Sequence, residues 1–252
     1  MRRVISDNGA AMPLGREGHR VRSRSIKEGD CTIPLVPDLK RYDLKTPELS
    51  ADQEREAADR LFDGALVIYP TDTLYAIGCR ALDGAAVLQL RRAKGREADK
   101  ALPVIVADVA QGRSIAASWP AAAQRLAEVF WPGPLTLVVS AGPKLPLELL
   151  AGGSSVAMRA PASRLARTLA RAAGPLVSTS ANLAGEPPCA TVAAAAAAFP
   201  HAILAFDVGP LSGEASTIVD VSDPGGGVRL VRPGRVSGEA IEAALGRRMG
   251  RS

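Results

Sequence analysis

Short apolar runs alternate with amphipathic stretches along the chain, and this pattern predicts an α/β fold that begins near residue 50. Ser50 can cap a helix, with Gln53 three residues later, and apolar residues then recur on one helical face. The apolar run Ala65–Tyr69 is stopped by Pro70, which favours a buried strand. Further strands are predicted at Leu102–Ala107, Leu135–Ser140, Ser155–Arg159, Leu176–Ser178, Ala202–Phe206, Thr217–Val221 and Val228–Val231.

Helices are predicted between these strands. Asp83 is a suitable cap for a helix that ends at Gly95. Pro161 in a first turn and Gly174 just past a last turn bracket another helix. The remaining helices are predicted at Ala121–Phe130, Ala193–Ala198 and Glu239–Arg248. The pattern as a whole predicts a single domain over residues 47–252, with a twisted mixed sheet flanked by helices.

The first 46 residues lack this periodicity, and we expect them to form a mostly disordered extension. Residues 1–27 carry seven basic and two acidic residues, which accounts for the whole net charge of +5. The rest of the chain holds 24 of the 31 basic and 24 of the 26 acidic residues. A protein that follows nucleic-acid phosphates usually carries its positive excess on the folded part. The charge therefore gives no support to nucleic-acid binding as the main role.

Several classes of protein are excluded by composition and motifs. No apolar run approaches the roughly 18 residues of a membrane span. The first residues lack the apolar region of a secretory signal, and the three cysteines include no CxxC pair, so we expect a cytoplasmic protein. The two histidines, His19 and His201, cannot form an HExxH zinc site. The sequence also contains neither GxxxxGK[ST] nor a GxGxxG after a strand, which argues against P-loop and Rossmann enzymes.

Four polar segments at the ends of predicted elements carry candidate chemistry. Hydroxyls and a carboxylate after a strand suit ligand binding, although they also suit a plain turn. Clustered cations suit a polyphosphate, although they also complement a helix dipole. Because Gly95 ends its helix, we expect Lys94 and Arg96 to face solvent. The segments are PTDTLYAIGC (70–79), RRAKGR (91–96) with Lys100, LVSTSAN (176–182), and ASTIVD (215–220) with LVRPG (230–234).

Seven motifs in order resemble the YrdC-like family, the threonylcarbamoyl-AMP synthases. They are YPTDTLYAIG (69–78), KGR (94–96), FWPGPLT (130–136), SVAMR (155–159), SAN (180–182), STIVD (216–220) and VRPG (231–234). The resemblance implies a nucleotidyltransferase that makes threonylcarbamoyl-AMP from L-threonine, bicarbonate and ATP and releases pyrophosphate. It also implies that separate threonylcarbamoyl-transfer machinery uses the product to modify a tRNA adenosine beside the anticodon.

The resemblance assigns roles to individual residues of this chain. Catalysis is assigned to Lys94, Arg96, Ser180 and Asn182. Contacts with threonine or its carbamate are assigned to Thr73, Arg159, Ser180 and Ser216. Contacts with ATP are assigned to Lys94, Arg96, Lys100, Ser155, Asn182 and Arg232. Mg²⁺ is expected to be carried by the ATP phosphates, without a metal site on the protein.

One departure from the family lies after the cationic stretch. Some members carry a histidine there that contacts threonine, whereas this chain reads Leu102–Ile105. Two alternative functions stay open at this point. One is a relative that handles plain carbamoyl-adenylate, and the other is an RNA-binding or ribosome-maturation factor of the same fold. Direct tRNA contact, assisted by the basic extension, is compatible with the synthase as well.

Overall fold

The computed structural model describes residues 39–95, 100–183, 185–211 and 213–250. Within these residues the strands are β1 (Lys40–Asp43), β2 (Val67–Pro70), β3 (Tyr75–Arg80), β4 (Val104–Ile105), β5 (Leu135–Ser140), β6 (Ser155–Arg159), β7 (Leu176–Ser180), β8 (Leu204–Asp207), β9 (Thr217–Asp220) and β10 (Arg229–Arg232). The helices are α1 (Ala51–Phe62), α2 (Gly84–Lys94), α3 (Val109–Ile115), α4 (Ala121–Phe130), α5 (Leu147–Leu150), α6 (Arg164–Ala173), α7 (Val192–Ala198) and α8 (Gly238–Leu245).

These strands form one mixed sheet in the order β1-β8-β2-β3-β7-β4-β6-β5-β9-β10. The pairs β1–β8, β8–β2, β4–β6 and β5–β9 are parallel, and the other neighbours are antiparallel. The predicted α/β class with a mixed sheet is therefore confirmed. Because the order does not follow the chain, residues that are distant in sequence meet on neighbouring strands.

The two faces of the sheet are covered unequally. One face packs against a core formed with α2, α3, α4, α5, α7 and α8. The other face packs against a smaller core formed with α1 and α6, and its strand residues come from β2, β3, β4, β7 and β8. On β5 and β6, Leu137 and Met158 point into the larger core. The neighbouring residues on these strands point to the opposite face, where the smaller core does not reach.

Local signals in the sequence explain where several helices begin and end. The hydroxyl of Ser50 accepts a hydrogen bond from the Gln53 N–H, and the Gln53 side chain accepts one from the Ser50 N–H. Gly95 ends α2 with a φ of +58°, a conformation that favours glycine. The predicted start of α6 at Pro161 is wrong, because the helix begins at Arg164. Ser163 caps it by accepting a hydrogen bond from the Ala166 N–H.

The sheet extends beyond the domain boundary predicted at residue 47. The strand β1 lies before it and pairs in parallel with β8. Tyr42 of this strand stacks on Phe206, with ring centroids 5.6 Å apart. Residues 1–38 of the predicted extension lie outside the described residues. None of the helices described is long and apolar enough to cross a bilayer.

Candidate active site

A cavity of about 480 Å³ opens on the face of β5, β6 and β9 that the smaller core leaves uncovered. Residues two apart on one strand share a face, and such pairs line this cavity: Ala157 with Arg159, Ser178 with Ser180, and Ser216 with Ile218. Thr73 and Arg232 line it as well. The sheet therefore brings together five predicted site residues, namely Thr73, Arg159, Ser180, Ser216 and Arg232.

The turn between β2 and β3 forms one wall of the cavity. The Thr71 hydroxyl accepts hydrogen bonds from the N–H groups of Thr73 and Leu74 and donates to the Leu74 carbonyl at 2.7 Å. The Thr71 hydroxyl also lies 3.0 Å from Thr73 Oγ1, and either hydroxyl can donate in this contact. Thr73 lines the cavity, so its hydroxyl can also form a hydrogen bond with a ligand.

Gly213 explains how the chain passes so close to this turn. A Cβ at this position would lie 2.1 Å from the Thr73 carbonyl oxygen, a distance that side chains cannot adopt. The backbone at Gly213, three residues before Ser216, therefore packs directly against the main chain of Thr73. Thr73 and Ser216, two of the four residues that the resemblance assigns to threonine, thus belong to backbone segments in direct contact.

Arg159, at the end of β6, is the buried cation of the cavity. Its side chain is 9% exposed, and its Nη1 lies 3.3 Å from Asp72 Oδ1 and 3.5 Å from Asp72 Oδ2. Burial lowers the pKa of Arg159, while the Asp72 carboxylate acts in the opposite direction. The guanidinium is therefore anchored through one nitrogen, and its other edge can pair with an anionic group of a ligand.

Ser216 joins two elements at the other side of the cavity. Its Oγ lies 2.9 Å from Thr136 Oγ1 and 3.3 Å from Arg232 Nη2, which also donates to the Ser216 carbonyl at 2.7 Å. Gly234 permits this approach, since a Cβ there would lie 2.4 Å from the Ala215 carbonyl oxygen. Burial lowers the pKa of Arg232. The predicted ATP contact Arg232 is thus bonded to the predicted threonine contact Ser216.

Lys94 reaches the end of β7 from the face of the larger core. Its Nζ donates to the Ser180 carbonyl at 2.7 Å and lies 3.3 Å from Thr179 Oγ1. The residue is 5% exposed, so the expectation that Lys94 faces solvent is wrong. The physical reason is that the last turn of α2 packs against the sheet, and the long side chain carries its ammonium to polar atoms at the strand end.

Three other predicted ATP contacts, Asn182, Lys100 and Ser155, are not among the residues that line the cavity. Asn182 donates to the carbonyls of Leu183 and Glu186, and its buried Oδ1 has no hydrogen-bond partner within the described part of the chain. Lys100 is exposed and directly precedes the lining residues that start at Ala101. Ser155 begins β6, roughly 13 Å along the strand from Arg159. Arg96 lies outside the described residues.

Two residues of the site were not assigned from the sequence. Asp72 anchors Arg159, and Thr136 pairs with Ser216. Both stand inside quoted motifs, YPTDTLYAIG and FWPGPLT, which is the signal that could have singled them out. The acidic side chain of Asp72 does not line the cavity, whose described walls contain hydroxyls, apolar groups and two arginines. The described residues contain no cluster of three or more His, Cys, Asp or Glu side chains that could hold a metal ion.

Comparison with known proteins identifies close relatives of this fold and sequence. The family model Sua5_yciO_yrdC, described as "Telomere recombination", matches residues 59–234. A Mycobacterium tuberculosis relative is 37% identical over 207 residues, 81% of this chain and 94% of the relative, and is provisionally named a threonylcarbamoyl-AMP synthase. The threonylcarbamoyl-AMP synthase of Pyrococcus abyssi is 36% identical over 197 residues, 76% of this chain and 57% of that protein.

A solved structure is also similar to this chain in fold and sequence. The crystal structure of P. abyssi Sua5 complexed with L-threonine superposes with a TM-score of 0.77 at 32% sequence identity. The superposition covers 84% of this chain and 62% of that one. The chain thus spans little more than half the length of the archaeal relative, and the similarity is limited to that part of the relative.

Proposed function

The chain belongs to the Sua5/YciO/YrdC family, and from this membership and the geometry of the cavity we propose that it is a threonylcarbamoyl-AMP synthase. It joins L-threonine, bicarbonate and ATP into threonylcarbamoyl-AMP and releases pyrophosphate. The observation that carries the proposal is the meeting of Thr73, Arg159, Ser180, Ser216 and Arg232 around one cavity. The product supplies tRNA modification through separate transfer machinery, for which we propose the cytoplasm as the location.

The amino acid occupies the end of the cavity between the β2–β3 turn and the strands β6 and β9. Arg159 pairs with its anionic group, and the Asp72 carboxylate keeps the guanidinium in place. The Thr73 hydroxyl, which lines the cavity, forms a hydrogen bond with the amino acid. A small pocket of hydroxyls beside one arginine suits an amino acid that is itself hydroxylated and lacks a bulky side chain.

ATP occupies the other end, toward α2 and the segment that follows it. Lys94, Arg96, Lys100 and Arg232 supply positive charge for the phosphates, and Ser155 and Asn182 supply neutral polar contacts. Asn182 Oδ1 has no hydrogen-bond partner among the described residues, which supports this, because a buried acceptor without a partner is costly unless a ligand donates to it. The Ser180 carbonyl accepts a hydrogen bond from Lys94 and so holds the ammonium at the end of β7.

The reaction requires positioning more than a protein nucleophile. The amine of threonine and bicarbonate form a carbamate and water, and a carbamate oxygen then attacks the α-phosphorus as pyrophosphate leaves. Cations fixed in a partly buried site neutralise the charge that develops on the phosphate oxygens. Mg²⁺ would be held by the phosphates, since the described walls of the cavity offer no carboxylate cage.

The test is pyrophosphate release from ATP·Mg²⁺ with each amino acid, with and without bicarbonate. We expect turnover only when L-threonine and bicarbonate are both present. Valine should be rejected, because it leaves the hydroxyl partners unpaired, and serine should be disfavoured by only about 1–3 kcal/mol. Turnover driven by carbamoyl phosphate alone would instead support the carbamoyl-adenylate relative. Absence of turnover together with tight, salt-sensitive RNA binding would support the RNA-binding factor.

A further inference from the structure

Thr136 lies between the two strands that carry Arg159 and Ser216. The strand β5 has β6 on one side and β9 on the other. The β5–β9 register pairs Thr136 with Ile218, and the β5–β6 register, which pairs Leu137 with Met158, continues to place Thr136 opposite Arg159. Thr136, Arg159 and Ser216 all line the cavity. A ligand that touches both Arg159 and Ser216 must therefore pass over Thr136.

The hydrogens at this point of the cavity can be counted. Arg232 can only donate, so Ser216 Oγ is an acceptor in their 3.3 Å contact. The hydroxyls of Ser216 and Thr136 hold two hydrogens, and the 2.9 Å contact between them uses one. No hydrogen bond among the described residues accounts for the second hydrogen. The pair therefore has one O–H to spare at the cavity wall.

The direction of the chain of hydrogen bonds decides which hydroxyl has the spare hydrogen. If the bonds run from Arg232 to Ser216 and from Ser216 to Thr136, each donor is polarised by the one before it. The chain then ends on the Thr136 hydroxyl, which is the member of the pair opposite Arg159. A polarised O–H beside a guanidinium is a suitable partner for an anionic oxygen.

We propose that Thr136 is a further substrate-contacting residue, whose hydroxyl donates to the anionic group of the amino-acid substrate that Arg159 holds. This inference rests on the proposed function, because it takes the ligand at Arg159 to be the amino acid. It assigns Thr136 a role in recognising the group common to amino acids. It does not make Thr136 a contact for the side chain that distinguishes threonine.

The test compares Thr136→Val, which keeps the branched shape and removes the hydroxyl, with Thr136→Ser, which keeps the hydroxyl. Steady-state pyrophosphate release is measured while L-threonine, L-serine and ATP are varied in turn. Loss of a hydrogen bond to a charged group should raise the KM for L-threonine about tenfold or more in Thr136→Val. The KM for L-serine should rise by the same factor, and the KM for ATP should stay within twofold. Thr136→Ser should restore the KM for L-threonine.

A matched control is Thr191→Val, which removes a threonine hydroxyl that caps α7 away from this cavity. It should lower the melting temperature and leave both KM values unchanged. An unchanged KM for L-threonine in Thr136→Val, or no recovery in Thr136→Ser, would overturn the inference. A changed preference between threonine and serine would also overturn it. If the wild-type protein shows no threonine-dependent turnover, the proposed function itself fails, whereas normal wild-type turnover with an unaffected Thr136→Val removes only the inference.

Discussion

The two buried cations of the site, Arg159 and Lys94, are held in different ways. Arg159 lies at the end of a strand, faces the cavity and is paired with the Asp72 carboxylate. Lys94 lies in the last turn of a helix, reaches the sheet from the opposite face, and donates to the Ser180 carbonyl. The difference teaches that Arg159 is placed to pair with an anionic group of a ligand in the cavity. Lys94 instead joins α2 to the strand that carries Ser180, so it stabilises the fold as well as the site.

The largest expected effect comes from breaking the Arg159 ion pair. Asp72→Asn keeps the shape of the side chain and leaves a buried guanidinium without its counter-charge. We expect the free energy of unfolding to fall by about 3 kcal/mol in chemical denaturation. The matched control is Asp43→Asn, because Asp43 is an exposed acid whose pairing with Arg41 should contribute less than about 1 kcal/mol.

A double variant sharpens this expectation. Adding Arg159→Met to Asp72→Asn removes the unpaired charge and replaces it with an apolar side chain of similar length. Stability should return toward the wild-type value, while threonine-dependent turnover should be lost. Equal instability of the single and double variants would mean that the pair does not act through its charges.

A smaller effect on stability is expected for Lys94. The change Lys94→Met keeps the aliphatic stem and leaves the Ser180 carbonyl and the Thr179 hydroxyl without this donor. We expect a loss of about 1–3 kcal/mol, or a melting temperature lower by several degrees, together with reduced turnover. Arg92→Met, on the exposed side of the same helical turn, should change neither quantity. A Lys94→Met variant with wild-type stability would contradict the structural part of the comparison.

The smallest effect is expected from the edge strand β1, which lies at neither end of the cavity. Two truncated chains, lacking residues 1–38 and 1–46, differ by a segment that contains β1 and the stacking of Tyr42 on Phe206. The shorter chain should melt about 2–4 °C lower, since an aromatic pair contributes roughly 1 kcal/mol. The KM values for L-threonine and ATP should be equal in the two chains. Unequal values would show that β1 also supports the site.

Much of the fold follows from local patterns in the sequence. Arg159 and Ser180 end apolar strands, Ser216 directly precedes another, and several of the helices have recognisable caps. The strand β1 could not be predicted in this way, because its residues, KRYD, are mostly exposed at the sheet edge. The strand β3 could not be predicted either. It and the preceding turn, Thr71–Leu74, lie in one continuous motif, whose residues do not show where the turn ends and the strand begins.

The site residues that were not predicted from the sequence depend on contacts between residues far apart in the chain. Asp72 and Arg159 are 87 positions apart, and Thr136 and Ser216 are 80 positions apart. Thr136 meets Ser216 because β5 and β9 are neighbours, and Asp72 meets Arg159 because the β2–β3 turn lies beside the end of β6. No local pattern contains either arrangement. The burial of Lys94 was missed for a related reason. A cation in a last helical turn usually faces solvent, and only the packing of α2 on the sheet directs this one inward.

The central claim, that this cavity joins a carbamate to the nucleotide, is tested most directly by following the carbon of bicarbonate. The full chain would be incubated with ¹³C-bicarbonate, L-threonine and ATP·Mg²⁺, and the nucleotides analysed by mass spectrometry. We expect an adenylate whose mass is that of threonylcarbamoyl-AMP and which carries one ¹³C atom, formed by the wild-type protein and not by Arg159→Met. An adenylate without the label, or threonine-independent formation of pyrophosphate, would contradict the account.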